Sequence, residues 1–172
     1  QAAARLGRDR FERLVMFSSL SKRSNVPGLR SGFVAGDADV LKSFLLYRTY
    51  HGSALSPAVQ AASIAAWSDE AHVVDNRRLY AAKFDQATPV VRRALRCERP
   101  DAAFYLWAAT PIDDAEYARR LYAEKHVTVL PGSYLSRSVD GASPGAGHVR
   151  IALVASPAEV AEAAGRIASF TV

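Results

Sequence analysis

The stretch Phe17–Gly32, FSSLSKRSNVPGLRSG, ends an apolar run and then places a lysine, Lys22, among serines. An arginine, Arg30, follows eight residues later, after Asn, Pro and Gly. Burying a charge beside a strand costs free energy unless the charge is paired. A solvent-facing position in a turn is the ordinary explanation for any single lysine, so the surrounding sequence has to decide what Lys22 does.

Two short strands are predicted on either side of Lys22. The segment Leu14–Phe17 is apolar and compatible with a strand, and Gly32–Ala35 is a second run of this kind. Asp37 or Asp39 can cap the helix that follows, and the sequence HGS ends that helix. The stretch with the lysine is therefore predicted to be a loop between two strands.

Two further helices are predicted before the sequence pattern changes. Ser56 and Pro57 begin the first, with proline in its first turn. Its apolar residues occur almost all round the helix, so we expect it to be buried between layers. These apolar residues are Ala61, Ala62, Ile64, Ala65 and Trp67. A long helical pattern starts at Asp69, and we expect Pro89 to kink or interrupt it.

The rest of the chain alternates between short strands and helices. Strands are predicted at Ala103–Ala108, Val127–Leu130 and Val149–Val154, and a capped helix at Asp113–Lys125. A capping box at Ser156 begins the last helix. Before the third strand, the sequence PGSYLSRSVDGASPGAGH is too rich in Gly, Pro and Ser to be regular. A loop of this length is usually functional or mobile.

Composition indicates one ordinary domain or two small ones, because the chain has 172 residues of which 49% are apolar. It has no apolar run long enough for a membrane span and no signal-peptide pattern, so we expect a soluble, cytoplasmic protein. Its single cysteine, Cys97, is expected to be a small, partly buried apolar residue, and no Cys or His cluster predicts a metal site. The net charge of +5 comes from scattered basic pairs beside acids, which does not indicate nucleic-acid binding.

The combined motif around Lys22 resembles a known family. Ser19-x-x-Lys22, followed by Arg30 within GLRSG, is similar to the cofactor-lysine signature of the class I and II aminotransferases of fold type I, which use pyridoxal 5'-phosphate. Further matches are HGSALSPAVQAAS from His51, AFYLWA from Ala103, VTVLPGSYL from Val127 and HVRIALV from His148. The strongest likeness, in SLSKRSNVPGLRSG and YHGSALSP, is to the branch of the family that acts on N-succinyldiaminopimelate.

This resemblance implies an α/β fold, the C-terminal part of a fold-type I transferase. Residues 1–68 would form the end of the large cofactor-binding domain, residues 69–97 a long connecting helix, and residues 98–172 the small α/β domain. The segments that hold the cofactor's pyridine ring in this family have no counterpart here. Because the sequence also begins at Gln1 without a methionine, we expect a fragment whose activity belongs to the complete protein.

The resemblance assigns Lys22 as the catalytic lysine that forms a Schiff base with the cofactor aldehyde. A lysine at the end of a strand that is partly desolvated loses preference for its ammonium form, which suits this role. The cofactor phosphate carries a charge of roughly −1.5 to −2, by analogy with phosphoserine. Ser19, and with less support Ser21, would donate hydroxyls to it, and Arg30 would offer a planar charged fork.

Arg150 is the residue that the resemblance assigns to the substrate. Family members carry an arginine on a strand of the small domain, where it binds the substrate α-carboxylate in a bidentate pair, and VRIALV gives Arg150 the matching position. A structural salt bridge is the alternative, since buried arginines are nearly always paired.

Other residues have weaker assignments. His51 and Ser53 match positions that reach across the dimer interface, or they form the turn that ends a helix. Tyr105 and Trp107 alternate on a strand and are expected in the core or in domain packing. The pair Ser133 and Tyr134 borders the substrate pocket or forms a turn.

The activity implied is transfer of an amino group between N-succinyl-LL-2,6-diaminopimelate and 2-oxoglutarate, in lysine biosynthesis. The family also implies a homodimer with shared active sites. Two alternatives stay open: another class I or II aminotransferase acting on aspartate or aromatic amino acids, and an aminotransferase-like effector domain of a transcription regulator.

Overall fold

The structure is a computed structural model that describes residues 2–7 and 11–172, and these separate into two compact units, one up to Asp75 and one from Asn76. The first unit contains α1 (Ala2–Arg5), β1 (Val15–Ser19), α2 (Leu20–Arg23), β2 (Gly32–Gly36), α3 (Ala38–Tyr50), α4 (Pro57–Ser68) and the start of α5 (Ala71–Val91). The second contains the rest of α5, β3 (Arg96–Cys97), β4 (Tyr105–Ala109), α6 (Asp114–Lys125), β5 (Leu130–Pro131), β6 (His148–Ala152) and α7 (Pro157–Ala168). The domain boundaries at residues 68 and 97 stay a prediction.

The two strands of the first unit pair antiparallel, and the lysine-bearing turn connects them. Ser19, the last residue of β1, lies opposite Gly32, the first residue of β2. A Cβ at Gly32 would come within 2.5 Å of the Ser18 carbonyl oxygen, so glycine lets the strands meet directly at the base of the turn. The turn is therefore closed at its base by backbone pairing.

The helices of the first unit begin where their capping residues predict. The Asp37 carboxylate accepts hydrogen bonds from the backbone N–H groups of Asp39 and Val40 at 2.9 and 3.2 Å, so Asp37 is the cap of α3. Ser56 caps α4 by accepting from the N–H of Val59, with Pro57 as its first residue.

The expectation that α4 is buried between layers is wrong. Ser63 is the single buried residue of this helix, and the Ile64 side chain is 67% exposed. One side of α4 contacts the rest of the unit, where Trp67 packs against Phe33 with ring centroids 4.9 Å apart. No described residues pack against the other side of α4. The apolar side chains on that side are therefore partly exposed to solvent.

The second unit has a four-stranded antiparallel sheet in the order β3-β4-β6-β5. One face of the sheet joins α5, α6 and α7 in a single apolar core. From β4 and β6 this core receives Leu106, Ala108, Val149 and Ile151. The last helix begins with the predicted capping box between Ser156 and Glu159 and buries its apolar side in the same core.

Two local predictions differ from the structure of the second unit, and one strand was not predicted. Val127–Val129 are not in a strand, because the ladder includes only Leu130 and Pro131. The helix α5 continues through Pro89 and ends at Val91, so Pro89 does not interrupt it, because the missing N–H removes only one hydrogen bond near the helix end. A kink at Pro89 stays a prediction. The short strand β3 carried too little pattern to be predicted.

Cys97 is 4% exposed within the core, and burial raises the pKa of its thiol. Among the described helices, none is long and apolar enough to cross a membrane.

Candidate functional site

Lys22 lies on α2, the single helical turn that leaves the end of β1. Ser19 caps this turn with an extended backbone, and Leu20 beside it is fully buried and fixes the turn to the unit. The side chain of Lys22 is exposed, so the expected partial desolvation is wrong for this structure. The physical reason is that the described helices cover β1 and β2 only in part. Phe44 of α3 contacts Phe17 and Trp67 of α4 contacts Phe33, yet Phe17 is still 70% exposed. Its assignment as the catalytic lysine stays a prediction.

The two serines predicted for the phosphate have different local roles. The Ser19 hydroxyl accepts a hydrogen bond from the N–H of Ser21 at 3.1 Å and donates to the Ser31 carbonyl at 3.3 Å. The hydroxyl of Ser21 is half-buried and makes no hydrogen bond to another described residue. Ser21 therefore has the more available hydroxyl, while Ser19 would have to turn its hydrogen away from Ser31 to donate to a ligand.

Arg30 has an unusual backbone conformation for a residue that is not glycine. Its φ is 52°, in the left-handed region, and its guanidinium donates to the Pro27 carbonyl at 2.9 Å. No carboxylate among the described residues pairs with this exposed side chain. The next residue, Ser31, accepts from the N–H of Leu20 at 3.1 Å, so the chain beyond Arg30 is held against the start of α2. The structure thus brings Lys22, Ser19, Ser21 and Arg30 to one turn.

Arg23 attaches this turn to the end of α4, a role that no pattern in the sequence indicated. Its guanidinium donates to the Ala66 carbonyl at 2.8 Å, lies 4.9 Å from the centre of the Trp67 ring and pairs with Glu70. With 14% of its side chain exposed, Arg23 is the best buried cation of the turn. A basic residue next to Lys22 gave no signal that distinguishes an anchor from a solvated charge.

His72 makes a second attachment between the same parts of the chain. One ring nitrogen lies 2.7 Å from an oxygen of Asp69 and the other lies 2.9 Å from the hydroxyl of Ser24. Hydrogen bonding to His72 lowers the pKa of the Asp69 carboxyl. The two anchors fix the position of α2, and with it the backbone that carries Lys22.

Arg150 lies in the second unit, on the face of the sheet that is turned away from the core. Its guanidinium carbon lies 5.3 Å from the centre of the Tyr105 ring, on the neighbouring strand. No described carboxylate lies within salt-bridge distance of Arg150, and the side chain is half-buried. Within the described residues Arg150 therefore forms no structural salt bridge, which was the alternative role. Its guanidinium is available on this face to bind a carboxylate. Its role in substrate binding stays a prediction.

Tyr105 and Trp107 share this outward face with Arg150, so a place in the core is excluded for both, and a role in domain packing stays a prediction. Side chains alternate between the two faces of β4 as predicted, but Leu106 and Ala108 are the ones that face the core. Trp107 stacks on His148 with ring centroids 5.4 Å apart and planes at 10°, and Trp107 lies opposite Arg150 in the ladder. We call the four residues Tyr105, Trp107, His148 and Arg150 the aromatic face.

The weaker candidates lie in turns. His51 is the residue after α3 and stacks on Tyr47 with centroids 4.3 Å apart, and Ser53 is exposed beyond it. This agrees with a helix C-terminal turn, and an interface role stays a prediction. Ser133 and Tyr134 form a 3₁₀ turn, in which Tyr134 is 72% exposed.

The donors around Lys22 suit a phosphate monoester. An arginine without a carboxylate partner and an unengaged serine hydroxyl flank an exposed amine, and these groups are donors that bind phosphate oxygens. Metal binding has no comparable support, since residues 2–7 and 11–172 contain no group of three His, Cys, Asp or Glu side chains arranged for an ion.

Comparisons with known proteins place this chain in a family. The family model for aminotransferase class I and II matches residues 2–167. A crystal structure of an aminotransferase from Neisseria meningitidis is 57% identical with a TM-score of 0.90, covering 98% of this chain and 43% of that one. An LL-diaminopimelate aminotransferase of Syntrophobacter fumaroxidans is 34% identical over 89% of this chain and 39% of its own length.

A third similar protein is a solved structure from Thermus thermophilus, described as a probable N-succinyldiaminopimelate aminotransferase. It is 30% identical with a TM-score of 0.78, covering 93% of this chain and 42% of that chain. The chain therefore spans about two fifths of the length of the proteins that it resembles.

Proposed function

This chain belongs to the class I and II aminotransferases, which depend on pyridoxal phosphate, and from that premise we propose that it contributes the cofactor lysine and the substrate arginine of a transaminase. The proposed reaction transfers the amino group between N-succinyl-LL-2,6-diaminopimelate and 2-oxoglutarate. The complete protein performs it, as a homodimer with shared active sites. The observation that carries the proposal is the turn in which an exposed Lys22 is followed by Arg30, whose guanidinium has no described carboxylate partner.

Lys22 and the residues around it form the cofactor half of the proposed site. Pyridoxal phosphate, when bound, supplies the aldehyde and the electron-withdrawing ring for amino-group chemistry. Arg30 and the Ser21 hydroxyl would bind the phosphate, and Ser19 would add its hydroxyl after turning its hydrogen away from Ser31. The amine of Lys22, fixed on a turn anchored by Arg23, would act as the general base that removes the proton from the substrate α-carbon and as the general acid that delivers that proton to the C4' carbon of the cofactor.

Arg150 forms the substrate half of the proposed site. Its guanidinium offers two parallel donors to the α-carboxylate that the amino donor and 2-oxoglutarate have in common. Contact with the Tyr105 ring restricts the orientation of the guanidinium before a substrate arrives, which lowers the ordering cost of binding.

A second amino donor is favoured by one of the comparisons. The relative from Syntrophobacter fumaroxidans is an LL-diaminopimelate aminotransferase, whose name specifies a donor without the succinyl group. The two donors share the α-amino acid end and differ in the charge of the distal end. The same residues of this chain would therefore serve both.

Donor preference of the complete protein tests the proposal. With 2-oxoglutarate as acceptor, we expect N-succinyl-LL-2,6-diaminopimelate to give a higher kcat/KM than LL-diaminopimelate, aspartate or phenylalanine, measured by glutamate formation. A preference for LL-diaminopimelate would support the second candidate. A preference for aspartate or phenylalanine would contradict both, and no transfer from any donor would favour the regulator alternative.

Replacing Arg30 with alanine should weaken binding of pyridoxal phosphate by about tenfold to a hundredfold, because a charge-assisted hydrogen bond to the phosphate is lost. Spectral titration of the complete apoprotein with the cofactor measures this affinity. Arg166→Ala is the matched control, since Arg166 also donates to a backbone carbonyl, that of Lys125 at 3.1 Å, and lies on α7. Cofactor affinity equal to that of the unmodified protein in Arg30→Ala would show that Arg30 does not bind the phosphate.

A further inference from the structure

One carboxylate fixes both ends of the Gly-, Pro- and Ser-rich segment 132–147. Asp114, the first residue of α6, is 1% exposed. One of its oxygens accepts from the N–H of Ser133 at 2.8 Å, and the other accepts from the N–H of Gly147 at 3.1 Å. The two donors are fourteen residues apart in the chain. A single side chain therefore closes this segment into a loop.

The hydrogen bonds that Asp114 accepts favour its charged form. Burial would raise the pKa of the carboxyl, but hydrogen bonds from Ser133 and Gly147 outweigh burial and hold the pKa below its ordinary value. Each oxygen of a carboxylate accepts a hydrogen bond without needing a proton of its own. Its neighbour Asp113 is exposed and caps α6 by accepting from Ala115 and Glu116, so the two adjacent acids have separate roles.

The interior of the loop is organised by a second polar group. The Ser136 hydroxyl lies 2.6 Å from that of Ser143, 3.2 Å from the Gly132 carbonyl and 3.2 Å from the N–H of Gly145. A Cβ at Gly145 would come within 2.1 Å of the Gly132 carbonyl oxygen, so the two ends of the loop touch.

The loop contacts the aromatic face at its start. A Cβ at Gly132 would lie 2.7 Å from an atom of the Trp107 ring, so the backbone of Gly132 rests against that ring. The N–H of Gly132 donates to the His148 carbonyl at 2.8 Å, and the His148 ring stacks on the Trp107 ring. Gly132 therefore contacts both Trp107 and His148, which share their sheet face with Arg150.

We propose that Asp114 is a positioning residue for substrate recognition, which holds the loop 132–147 as a wall beside Arg150 on the aromatic face. The inference rests on the proposed function of Arg150. It adds that the loop 132–147 limits the space available to a ligand next to Arg150. Asp114 does not contact the substrate, and its influence passes through Gly132 and the ring of Trp107. The recognised ligand is a carboxylate whose remaining chain lies along this wall.

The test uses Asp114→Asn in the complete protein, with Asp113→Asn as the matched control. An asparagine has one acceptor oxygen, so its amide group faces the N–H of Ser133 or of Gly147 and one end of the loop loses its anchor. Asn is as good a helix cap as Asp, so Asp113→Asn makes the same chemical change one residue away without affecting the loop.

Two measurements separate a positioning role from a merely structural one. Peptide-resolved hydrogen exchange should be at least about tenfold faster within residues 132–147 in Asp114→Asn and unchanged in Asp113→Asn. Binding of 2-oxoglutarate to the cofactor-loaded protein should weaken by about two- to thirtyfold in Asp114→Asn alone, the usual range for residues that act without touching the ligand. Cofactor affinity should stay unchanged in both variants.

Ser136→Ala gives a second variant that leaves α6 intact, for use if Asp114→Asn does not fold. It should change exchange and 2-oxoglutarate binding in the same direction and by less. Faster exchange with unchanged 2-oxoglutarate affinity, or unchanged exchange in the loop, would overturn this inference alone. An unmodified protein that neither binds 2-oxoglutarate nor transfers an amino group would instead overturn the proposed function, and with it the inference.

Discussion

Replacing Lys22 with alanine in the complete protein is expected to reduce kcat for amino transfer by at least about a hundredfold to ten-thousandfold, the contribution of a positioned general acid–base. The variant loses the amine that attaches the cofactor and the group that moves the proton at the substrate α-carbon. Steady-state kinetics with donor and 2-oxoglutarate, together with the cofactor's absorption spectrum, measure both losses.

The structure also predicts that Lys22→Ala leaves the protein folded. The Lys22 side chain is exposed, and the turn is fixed by Leu20 and by the contacts of Arg23. We therefore expect the melting temperature of the apoprotein to stay the same. Lys42→Ala, an exposed lysine on α3, is the matched control and should keep full activity. Activity of Lys22→Ala close to that of Lys42→Ala would reject the assignment of Lys22.

Replacing Arg150 with alanine should reduce kcat/KM for both the amino donor and 2-oxoglutarate by about thirtyfold to several thousandfold. This range corresponds to roughly 2 to 5 kcal/mol for truncating one partner of a buried charge pair. Both substrates are affected because each presents an α-carboxylate. Cofactor affinity should be unchanged, in contrast with Arg30→Ala, and kinetics with both substrates and spectral titration distinguish the two arginines.

Arg120→Ala is a close control for Arg150→Ala within the second unit. Arg120 also lies against an aromatic ring, with its guanidinium carbon 5.6 Å from the centre of Phe170, but it pairs with Glu124 at 3.2 Å. Its loss should leave kinetics with both substrates unchanged. If Arg150→Ala behaved like Arg120→Ala, Arg150 would have only a structural role. The substrate-binding role of the matching arginine in the family would then not apply to Arg150.

Local signals in the sequence predicted the helix starts well. The capping box at Ser156 and Glu159 forms with both of its hydrogen bonds, and Asp113 caps α6 as expected. The residues in each of these contacts lie within four positions of one another in the chain, so the local sequence is enough to predict the contacts. The lysine turn is similar, because a strand, a serine cap and Lys22 follow one another directly.

Predictions that depended on distant partners were less reliable. Val127 and Val129 are buried, yet neither joins the ladder, because an apolar alternating pattern reports burial and not which strand supplies the hydrogen bonds. The burial of α4 and the desolvation of Lys22 required covering layers that the described residues provide only in part. For Asp114, the anchoring contacts are 19 and 33 residues away, and an acid in the first turn of a helix is equally typical of a simple helix start.

Which face of β4 packs into the core also could not be predicted from the local sequence. The alternation of Tyr105 and Trp107 with smaller residues was visible, and large aromatic side chains usually indicate the core. Here α5, α6 and α7 supply enough apolar volume to fill the other face with Leu106 and Ala108. The aromatic side chains are thus left beside Arg150, an arrangement that depends on packing across the whole unit.

Borohydride reduction of the cofactor-loaded complete protein, followed by peptide mapping, tests the central claim most directly. Reduction fixes the cofactor covalently to the lysine that holds it. This chain contains four lysines, Lys22, Lys42, Lys83 and Lys125, and Lys83 is buried with its amine donating to the Leu153 carbonyl at 3.1 Å. We predict a single pyridoxyl label, on Lys22. A label on any other lysine of the protein, with Lys22 unmodified, would contradict the account.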